Sequence, residues 1–287
     1  MSKKIKGYHV VWQRPRKHTL STWEILLQLT SAKVYQSEFG PIHLYACQEA
    51  IEFFDKIGMT GVYDGVEALD EDLLQGIDPD IYFASAKVLA QLQAPDKECA
   101  FVDTDLILLR TATEEWETNP VVSCLHKETL EVYPDLWKKW KYDGEINDAL
   151  PINCAFNLWK DRDLRREYAS RAMKFMNNNT HQGKFSSNTL MITAEQRILG
   201  MFLEEKGITP NYYVQDVWST GENEWIPDGI QSNWEQVYPY LSHVWGFKKE
   251  LHTDPMKAAD FSLRLITMLD QYPEIELDTI LNKLANL

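Results

Sequence analysis

The chain has 287 residues, of which 44% are hydrophobic and 25% are charged. This is the ordinary balance of a globular protein, and it excludes wholesale disorder. Its 43 acidic residues outnumber 29 basic ones, giving a net charge of −14, and such a surface repels nucleic acid and anionic lipid. We therefore expect no nucleic-acid partner, and an anionic ligand has to be met by a local basic group or a metal ion.

The sequence predicts neither a secretory signal nor a membrane span. The basic start of the chain, Met1–His9, has no apolar stretch behind it, and nowhere do about 18 apolar residues follow one another. Four cysteines are widely spaced without a C-x-x-C pair: Cys47, Cys99, Cys124 and Cys154. This spacing indicates reduced, mostly buried thiols, and we expect a cytoplasmic protein.

The first half of the chain alternates predicted strands with predicted helices. The strands are Lys6–Trp12, Ile42–Cys47 and Cys99–Val102, and the helices are Thr22–Gln36, Gln48–Ile57 and Ile81–Leu92. Ser21 or Thr22 suits a helix N-cap, and Gly58 ends the second helix. The alternation favours an α/β fold whose central sheet is mostly parallel and flanked by helices.

The second half is less regular. Strands are predicted at Val121–Leu125 and Ile152–Trp159, helices at Arg162–Asn177 and Ala194–Lys206, and two closing helices broken at Pro273. The stretch between residues 210 and 247 is rich in aromatic residues. We predict one domain over residues 1–250 and a C-terminal helical extension over residues 251–287 that packs on it.

Two aspartates, Asp103 and Asp105, directly follow the strand Cys99–Val102 and have apolar residues on both sides. Alternate residues of an extended chain point the same way, so both carboxylates would face one spot. Two carboxylates held there repel each other, and a hard divalent cation relieves the repulsion. The alternative is a loop with two exposed acids, as expected for three other D-x-D triplets in polar or helical surroundings.

A second group of candidate site residues lies near the C-terminus: His243, Gly246 and Lys248. His243 can supply a neutral imidazole, Gly246 permits close approach of the backbone, and Lys248 offers a positive point charge. Alone, the segment fits a half-buried histidine in an aromatic loop followed by a surface lysine. Combined with the two aspartates, it predicts a metal and diphosphate site.

The order of these motifs resembles that of nucleotide-sugar glycosyltransferases of the GT-A fold, and is most similar to the glycogenin and lipopolysaccharide galactosyltransferase group (glycosyltransferase family 8). That family's pattern has an apolar strand ending in D-x-D, an N-x-G segment, an acidic residue followed by Gln at the start of a helix, and H-x-x-G-x-K. The corresponding segments span roughly residues 5–250 in the same order: Asp103–Asp105, Asn153–Ala155, Glu195–Gln196 and His243–Lys248.

The sequence departs from the family pattern at three places. These departures bear on the acceptor pocket and on exact membership of the family, and they leave the expected fold unchanged. Ala155 stands where the family usually has glycine, and Glu195 stands where aspartate is more common. Lys249 and Glu250 replace the proline and tryptophan that often follow the final lysine.

The resemblance implies a Rossmann-like GT-A sheet and transfer of a sugar from a nucleoside-diphosphate sugar, with UDP as the expected nucleotide. The acceptor is an unknown saccharide, a lipid-linked species or a protein, and retention of the anomeric configuration is implied by the resemblance alone. Asp103, Asp105 and His243 would ligate Mn²⁺ (or Mg²⁺), and Lys248, with Gly246 beside it, would contact the diphosphate.

The donor pocket and the reaction centre follow from the same resemblance. The residues expected around the donor are Val10, Val11, Trp12, Lys87 and Asp103. Near the sugar carbon, which becomes oxocarbenium-like, Asn153 and Gln196 are the neutral candidates and Glu195 is the charged one. Their structural alternatives are a strand-edge amide and helix-capping residues, and a solvated helical lysine is the alternative for Lys87.

Two other classes of protein compete with the transferase. A haloacid dehalogenase-type phosphatase also has a strand ending in D-x-D, but it expects Thr or Val where Ile107 stands and places the motif near the N-terminus. A non-catalytic protein that binds nucleotide sugars or glycans would share the fold and the tryptophans. Manganese-dependent hydrolysis of a nucleotide sugar would separate the transferase from both.

Overall fold

The computed structural model describes residues 4–12, 20–108, 121–130, 133, 140–179, 187–213, 217–218, 241–244 and 247–286. A seven-stranded sheet lies at the centre of these residues. Its strands, in spatial order, are β3 (Gly65–Ala68), β2 (Ile42–Ala46), β1 (Gly7–Val11), β4 (Cys99–Val102), β8 (Phe156–Trp159), β6 (Val122–Cys124) and β9 (Asn211–Tyr212). Only β8 runs antiparallel to its neighbours, so the predicted α/β fold with a mostly parallel sheet is confirmed.

Two pairs of short strands lie beside the main sheet. β5 (Leu106–Leu108) pairs antiparallel with β11 (Leu241–His243), and β7 (Lys127–Glu128) pairs parallel with β10 (Val217–Trp218). The β5–β11 register places His243 opposite Leu106, and the N–H of Val244 donates to the carbonyl of Asp105 at 3.1 Å. This pairing brings the two distant polar segments of the sequence together.

Helices cover both faces of the sheet. On one face lie α1 (Thr22–Glu38), α2 (Gln48–Ile57), α7 (Lys248–Thr253), α8 (Pro255–Leu269) and α9 (Leu277–Ala285). On the other lie α3 (Ser85–Gln93), α4 (Arg162–Asn178), α5 (Ser187–Ile192) and α6 (Ile198–Glu205). Neighbouring strand residues divide between the faces: Phe101 belongs to the second core, and Ala100 and Val102 belong to the first, as the period of a strand requires.

The C-terminal helices belong to the same packed body as the sheet. α8 lies along α1, α9 contacts α2, and Phe261, Leu265 and Ile280 are buried in the first core. The two helices are separated at Pro273, as the sequence predicts. Among the described residues, no helix combines the length and hydropathy needed to cross a bilayer.

Elements with strong local signals match their predicted bounds. Both Gln48–Ile57 and Cys99–Val102 are as predicted. Gly58 follows α2 with φ +83°, in the left-handed region that favours glycine after a helix. All four cysteines are buried and free, as expected.

Other predicted bounds are wrong for identifiable reasons. The strand predicted from Ile152 starts only at Phe156, because the side-chain oxygen of Asn153 accepts the N–H of Ala155 at 2.9 Å and the chain turns there. The helix predicted from Ala194 is part of a longer run that begins at Ser187. Helix α3 begins at Ser85, after a turn, whereas the sequence predicted Ile81.

Candidate active site

Asp103 and Asp105 lie in the turn that joins β4 to β5. The N–H of Leu106 donates to the carbonyl of Asp103 at 3.0 Å, so the backbone between the aspartates is bent. The extended geometry predicted for this segment is therefore wrong, and the turn brings the carboxylates together. The N–H of Asp103 donates to the carbonyl of Ala155 at 2.8 Å, and the carbonyl of Asp105 accepts from the N–H of Val244 at 3.1 Å.

His243 completes a three-residue cluster with the two aspartates. One side-chain ligand atom from each of Asp103, Asp105 and His243 lies within 4.8 Å of the other two. Asp105 and His243 are buried, and Asp103 is partly exposed. Burial lowers the pKa of His243 against the opposing effect of the aspartates, so its imidazole is neutral near pH 7 and a ring nitrogen can act as a ligand. Two carboxylates and one neutral imidazole form a donor set that suits Mn²⁺, whereas Mg²⁺ prefers oxygen alone.

A buried lysine accompanies Asp103. Lys87, in the first turn of α3, places its Nζ 2.6 Å from Asp103 Oδ1 and 2.8 Å from Glu195 Oε1. The same ammonium group donates to the carbonyl of Cys154 at 3.0 Å. Burial alone would lower the pKa of Lys87, but the two carboxylates raise it above its usual value. This lysine is charged and has three acceptors around it.

A more exposed lysine accompanies Asp105. Lys248, the first residue of α7, places its Nζ 2.8 Å from Asp105 Oδ2, and its side chain is 41% exposed. His243 Nε2 lies 3.9 Å from the same oxygen. Burial disfavours the ionised form of Asp105, but Lys248 and His243 hold its pKa well below the usual range. Asp105 is therefore a carboxylate, as a metal ligand must be.

Glu195 and Gln196 occupy a single π-helical segment, Thr193–Arg197, between α5 and α6. Such segments are rare and often lie at functional sites. Glu195 is buried, and its side chain reaches Lys87. Burial raises the pKa of Glu195, and Lys87 opposes that shift. The two neighbouring residues thus face different partners, since Gln196 lies against a second polar cluster.

That second cluster is centred on Glu128, at the end of β7. Its Oε1 accepts from Asn153 Nδ2 at 2.7 Å, and its Oε2 accepts from the hydroxyl of Tyr133 at 2.6 Å. With its amide nitrogen toward the carboxylate, Gln196 donates to Oε2 at 2.9 Å and Oε1 at 3.2 Å. Burial raises the pKa of Glu128, and the bonds from Tyr133 and Asn153 oppose the shift.

Sequence reasoning missed Glu128 and Tyr133. The available signal was the position of Glu128 shortly after the predicted strand Val121–Leu125. In open α/β sheets, polar residues that follow the strands gather at one edge.

A cavity of about 720 Å³ borders Asp103 at the carboxyl ends of β1 and β4, and Lys248, the partner of Asp105, also lines it. This is the edge at which open α/β sheets bind ligands, and the volume is in the usual range of ligand pockets. Apolar side chains in its lining include Val10, Val11, Trp12, Phe53, Phe54 and Phe83. Polar side chains in its lining include Gln28, Asp80, Lys87, Asp103, Thr104, Glu195, Gln196 and Lys248.

Most of the residues singled out in the sequence meet at this cavity or directly beneath it. Asn153 does not line it, and both ends of its amide have partners, Glu128 and the N–H of Ala155. Gly246 lies outside the described residues, as does much of the aromatic stretch, including Trp225 and Trp234.

Comparisons with known proteins find solved structures that are similar to this chain at low sequence identity. No protein-family model matches the chain, and a search of curated proteins finds no match. Among solved structures, the chain is similar to the galactosyltransferase LgtC in complex with donor and acceptor sugar analogues, at 12% identity and a TM-score of 0.41 over 66% of this chain and 70% of that one. It is also similar to mouse xyloside xylosyltransferase 1 (10% identity, TM-score 0.41, 84% of this chain and 97% of that one).

A third similar structure is the glycosyltransferase GlyE of Streptococcus pneumoniae TIGR4, at 11% identity and a TM-score of 0.41 over 84% of this chain and 54% of that one. The chain is thus similar, at low identity, to solved structures of glycosyltransferases.

Proposed function

We propose that the chain is a metal-dependent glycosyltransferase that takes a sugar from a nucleoside-diphosphate sugar. The observation that carries this proposal is the convergence of Asp103, Asp105 and His243 within 4.8 Å at the border of a cavity of about 720 Å³. Lys248, in contact with Asp105, adds a partly exposed positive charge beside the cluster. A dianionic diphosphate needs this combination in a chain whose net charge is −14.

Lys248 has a role that follows from bond breaking between the sugar and the diphosphate. Mn²⁺ held by the three ligands would supply positive charge to the diphosphate. Negative charge on the leaving diphosphate grows during the reaction, so a cation placed there stabilises the transition state more than the ground state. The 41% exposed side chain of Lys248 can turn from Asp105 to a phosphate oxygen.

The remaining lining residues support a division of the cavity between base and sugar. Val11, Trp12 and Phe53 offer apolar and aromatic surface for a base, and the indole N–H of Trp12 donates to Glu71 at 2.9 Å, which fixes the ring. Glu195 and Gln196 offer a carboxylate and an amide to the electron-poor sugar carbon. UDP as the nucleotide and retention of configuration belong to this proposal through the resemblance, and a cytoplasmic location agrees with four free cysteines.

The acidic pair provides the direct test. In Asp105→Asn we expect the affinity for UDP in the presence of Mn²⁺, measured by isothermal titration calorimetry, to fall about 10²-fold, because the neutral amide is a poor ligand for a hard cation. Asp163→Asn is the matched control, since Asp163 belongs to another D-x-D triplet and its side chain is 88% exposed. Equal affinity in Asp105→Asn and the wild type would remove the metal site.

Turnover separates the classes that share a metal and a nucleotide. A transferase slowly hydrolyses its donor without an acceptor, so a screen of UDP-sugars with and without Mn²⁺ should release free sugar and UDP. A phosphatase needs a terminal phosphate, so it would leave UDP-sugars intact and release inorganic phosphate from a phosphomonoester offered in parallel. A non-catalytic binding protein would turn over neither substrate.

A further inference from the structure

Glu128 is a buried carboxylate outside the metal cluster and outside the cavity lining. Its residue is 5% exposed, and it ends the short strand β7. A buried carboxylate without partners is costly, so its surroundings must stabilise it. Those surroundings are hydrogen-bond donors from three separate parts of the chain.

The three donors converge on the two carboxylate oxygens. Asn153 Nδ2 donates at 2.7 Å, the Tyr133 hydroxyl at 2.6 Å, and the Gln196 amide at 2.9 and 3.2 Å. All three groups act as donors, as an ionised carboxylate requires, and the bonds from Asn153 and Tyr133 oppose the rise that burial causes in its pKa. Asn153 is also held through its backbone and its side-chain oxygen, and Gln196 lies on the π-helical segment, so two of the three donors are positioned independently of Glu128.

Asn153 is the anchor of the cluster. Its backbone N–H donates to the carbonyl of His126 at 2.9 Å, and its side-chain oxygen accepts the N–H of Ala155 at 2.9 Å. The neighbouring N–H of Ile152 donates to the backbone carbonyl of Gln196 at 3.2 Å. The peptide that carries Asn153 therefore holds both Glu128 and the backbone of the π-helical segment.

The carboxylate determines which end of the Gln196 amide faces it. The reverse orientation would place the amide oxygen 2.9 Å from a carboxylate oxygen, which is repulsive because neither atom carries a proton. The nitrogen therefore faces Glu128 and the hydroxyl of Tyr133, which accepts at 2.6 Å while donating to Glu128. Gln196 also lines the cavity, so its carbonyl oxygen is the amide atom left for a ligand.

We infer that Glu128 is a positioning residue that fixes the carboxamide of Gln196 so that its oxygen, and not its nitrogen, is presented to the substrate. This inference rests on the proposed function. The group that such an oxygen suits is a centre that becomes electron-poor, the sugar carbon of the donor, because an amide oxygen stabilises developing positive charge and an amide N–H does not. Glu128 itself does not touch the substrate.

The test uses Glu128→Gln in the full-length protein. The substitution keeps the size of the side chain, but one of its two acceptor oxygens becomes an NH₂ donor, so Gln196 loses the feature that fixes its orientation. We expect kcat for Mn²⁺-dependent hydrolysis of the donor to fall about tenfold or more, the scale of losing an outer hydrogen-bond partner. The donor KM should stay within about twofold, because the metal and diphosphate contacts remain.

A second measurement reports the hydrogen bond without any turnover. In ¹⁵N-correlated spectra, the side-chain amide of Gln196, identified by its loss in Gln196→Met, should exchange slowly with solvent in the wild type and much faster in Glu128→Gln. The matched control is Tyr8→Phe, which removes a hydroxyl bound to the carboxylate of Asp96 away from the cavity. This control should leave kcat and the Gln196 resonance unchanged even where it lowers the melting temperature.

The outcomes separate this inference from the proposed function. Wild-type protein that hydrolyses no nucleotide sugar overturns the proposed function and the role of Glu128 with it. A wild type that hydrolyses its donor, together with wild-type kcat in Glu128→Gln, overturns only the role of Glu128. An unchanged Gln196 amide resonance in that variant does the same.

Discussion

Lys87 and Lys248 make equivalent contacts with the two aspartates, at 2.6 and 2.8 Å, in very different surroundings. The side chain of Lys87 is 10% exposed, and its ammonium group meets two carboxylates and a carbonyl. The side chain of Lys248 is 41% exposed, and among the described residues Asp105 is its ion-pair partner. Two ion pairs of similar length can therefore have different roles, one stabilising the folded structure and the other leaving a cation accessible to a ligand. The buried lysine holds the site together, and the exposed one is able to change partners.

The largest effect on stability is expected from the buried lysine. Lys87→Met leaves the carboxylates of Asp103 and Glu195 facing each other without a cation, and breaking a buried ion pair costs about 3–5 kcal/mol. Urea denaturation followed by circular dichroism measures the loss. Adding Glu195→Gln to the variant should recover part of it, since one of the two carboxylates becomes neutral. A loss below about 1 kcal/mol in Lys87→Met would make the two lysines alike and remove the distinction.

The partly exposed lysine should affect catalysis more than stability. We expect Lys248→Ala to lower kcat for donor hydrolysis about 10²-fold, the scale of removing one preorganised electrostatic group. The free energy of unfolding should fall by less than in Lys87→Met, because Lys248 is partly exposed and its loss leaves one buried carboxylate, Asp105, without its ion-pair partner. Mn²⁺ alone should bind at least as tightly as in the wild type, because Asp105 loses a competing cation.

The conservative variant sharpens this prediction. Lys248→Arg restores the charge but replaces a compact ammonium with a planar fork, so it should recover kcat only in part. If Lys248→Ala kept wild-type kcat and KM, the C-terminal motif would have no catalytic role.

A smaller effect concerns the core beside Asp105. His9 on β1 is fully buried, with its ring nitrogens 3.0 Å from the Tyr63 hydroxyl and 3.1 Å from the Ser31 hydroxyl. The Ser31 hydroxyl donates in turn to the carbonyl of Leu106, the residue that follows Asp105. Burial lowers the pKa of His9 from 6.5 to about 3. The folded protein therefore holds this imidazole neutral where the unfolded chain protonates it.

The sign of the pH dependence follows from proton binding. Between about pH 3 and 6.5 the unfolded state binds more protons at His9 than the native state, so stability rises with pH and is lost on acidification. From pH 6.5 to 5 the expected loss is about 2 kcal/mol. His9→Gln should reduce this loss by about that amount in urea denaturation at the two pH values, since the other histidines are unchanged. Identical pH dependence in both proteins would mean that His9 titrates normally.

Sequence could predict the parts of this fold that have local causes. The strand Cys99–Val102 is a short apolar run, and the helix Gln48–Ile57 has a glycine after it. The segment Ser187–Ile192 was missed, because its polar start has weak helix propensity and burial of Leu190 and Met191 stabilises it. Tertiary contacts of this kind leave no periodic signal in the chain.

The candidate site shows the same limit. The identities and order of Asp103, Asp105, His243 and Lys248 were sufficient to group them, because each belongs to a recognisable short motif. The ion pairs of the two lysines with the aspartates were not predictable, since they depend on a turn after β4 and on the pairing of β5 with β11. Glu128 has no motif around it, and two of its three partners, Asn153 and Gln196, come from distant segments.

The π-helical segment Thr193–Arg197 determines the directions in which the side chains within it and after it point around the helix axis. In an α-helix, successive side chains are about 100° apart around the axis, and the wider π turn offsets everything that follows it. Glu195 and Gln196 point to different clusters from this segment, and the residues that follow it, Ile198–Leu203, are all buried. A deletion of one residue within the segment would restore the regular winding and rotate both side chains away from their partners without changing either identity. The number of residues in this helix therefore determines where Glu195 and Gln196 point. A comparison of short motifs does not detect it.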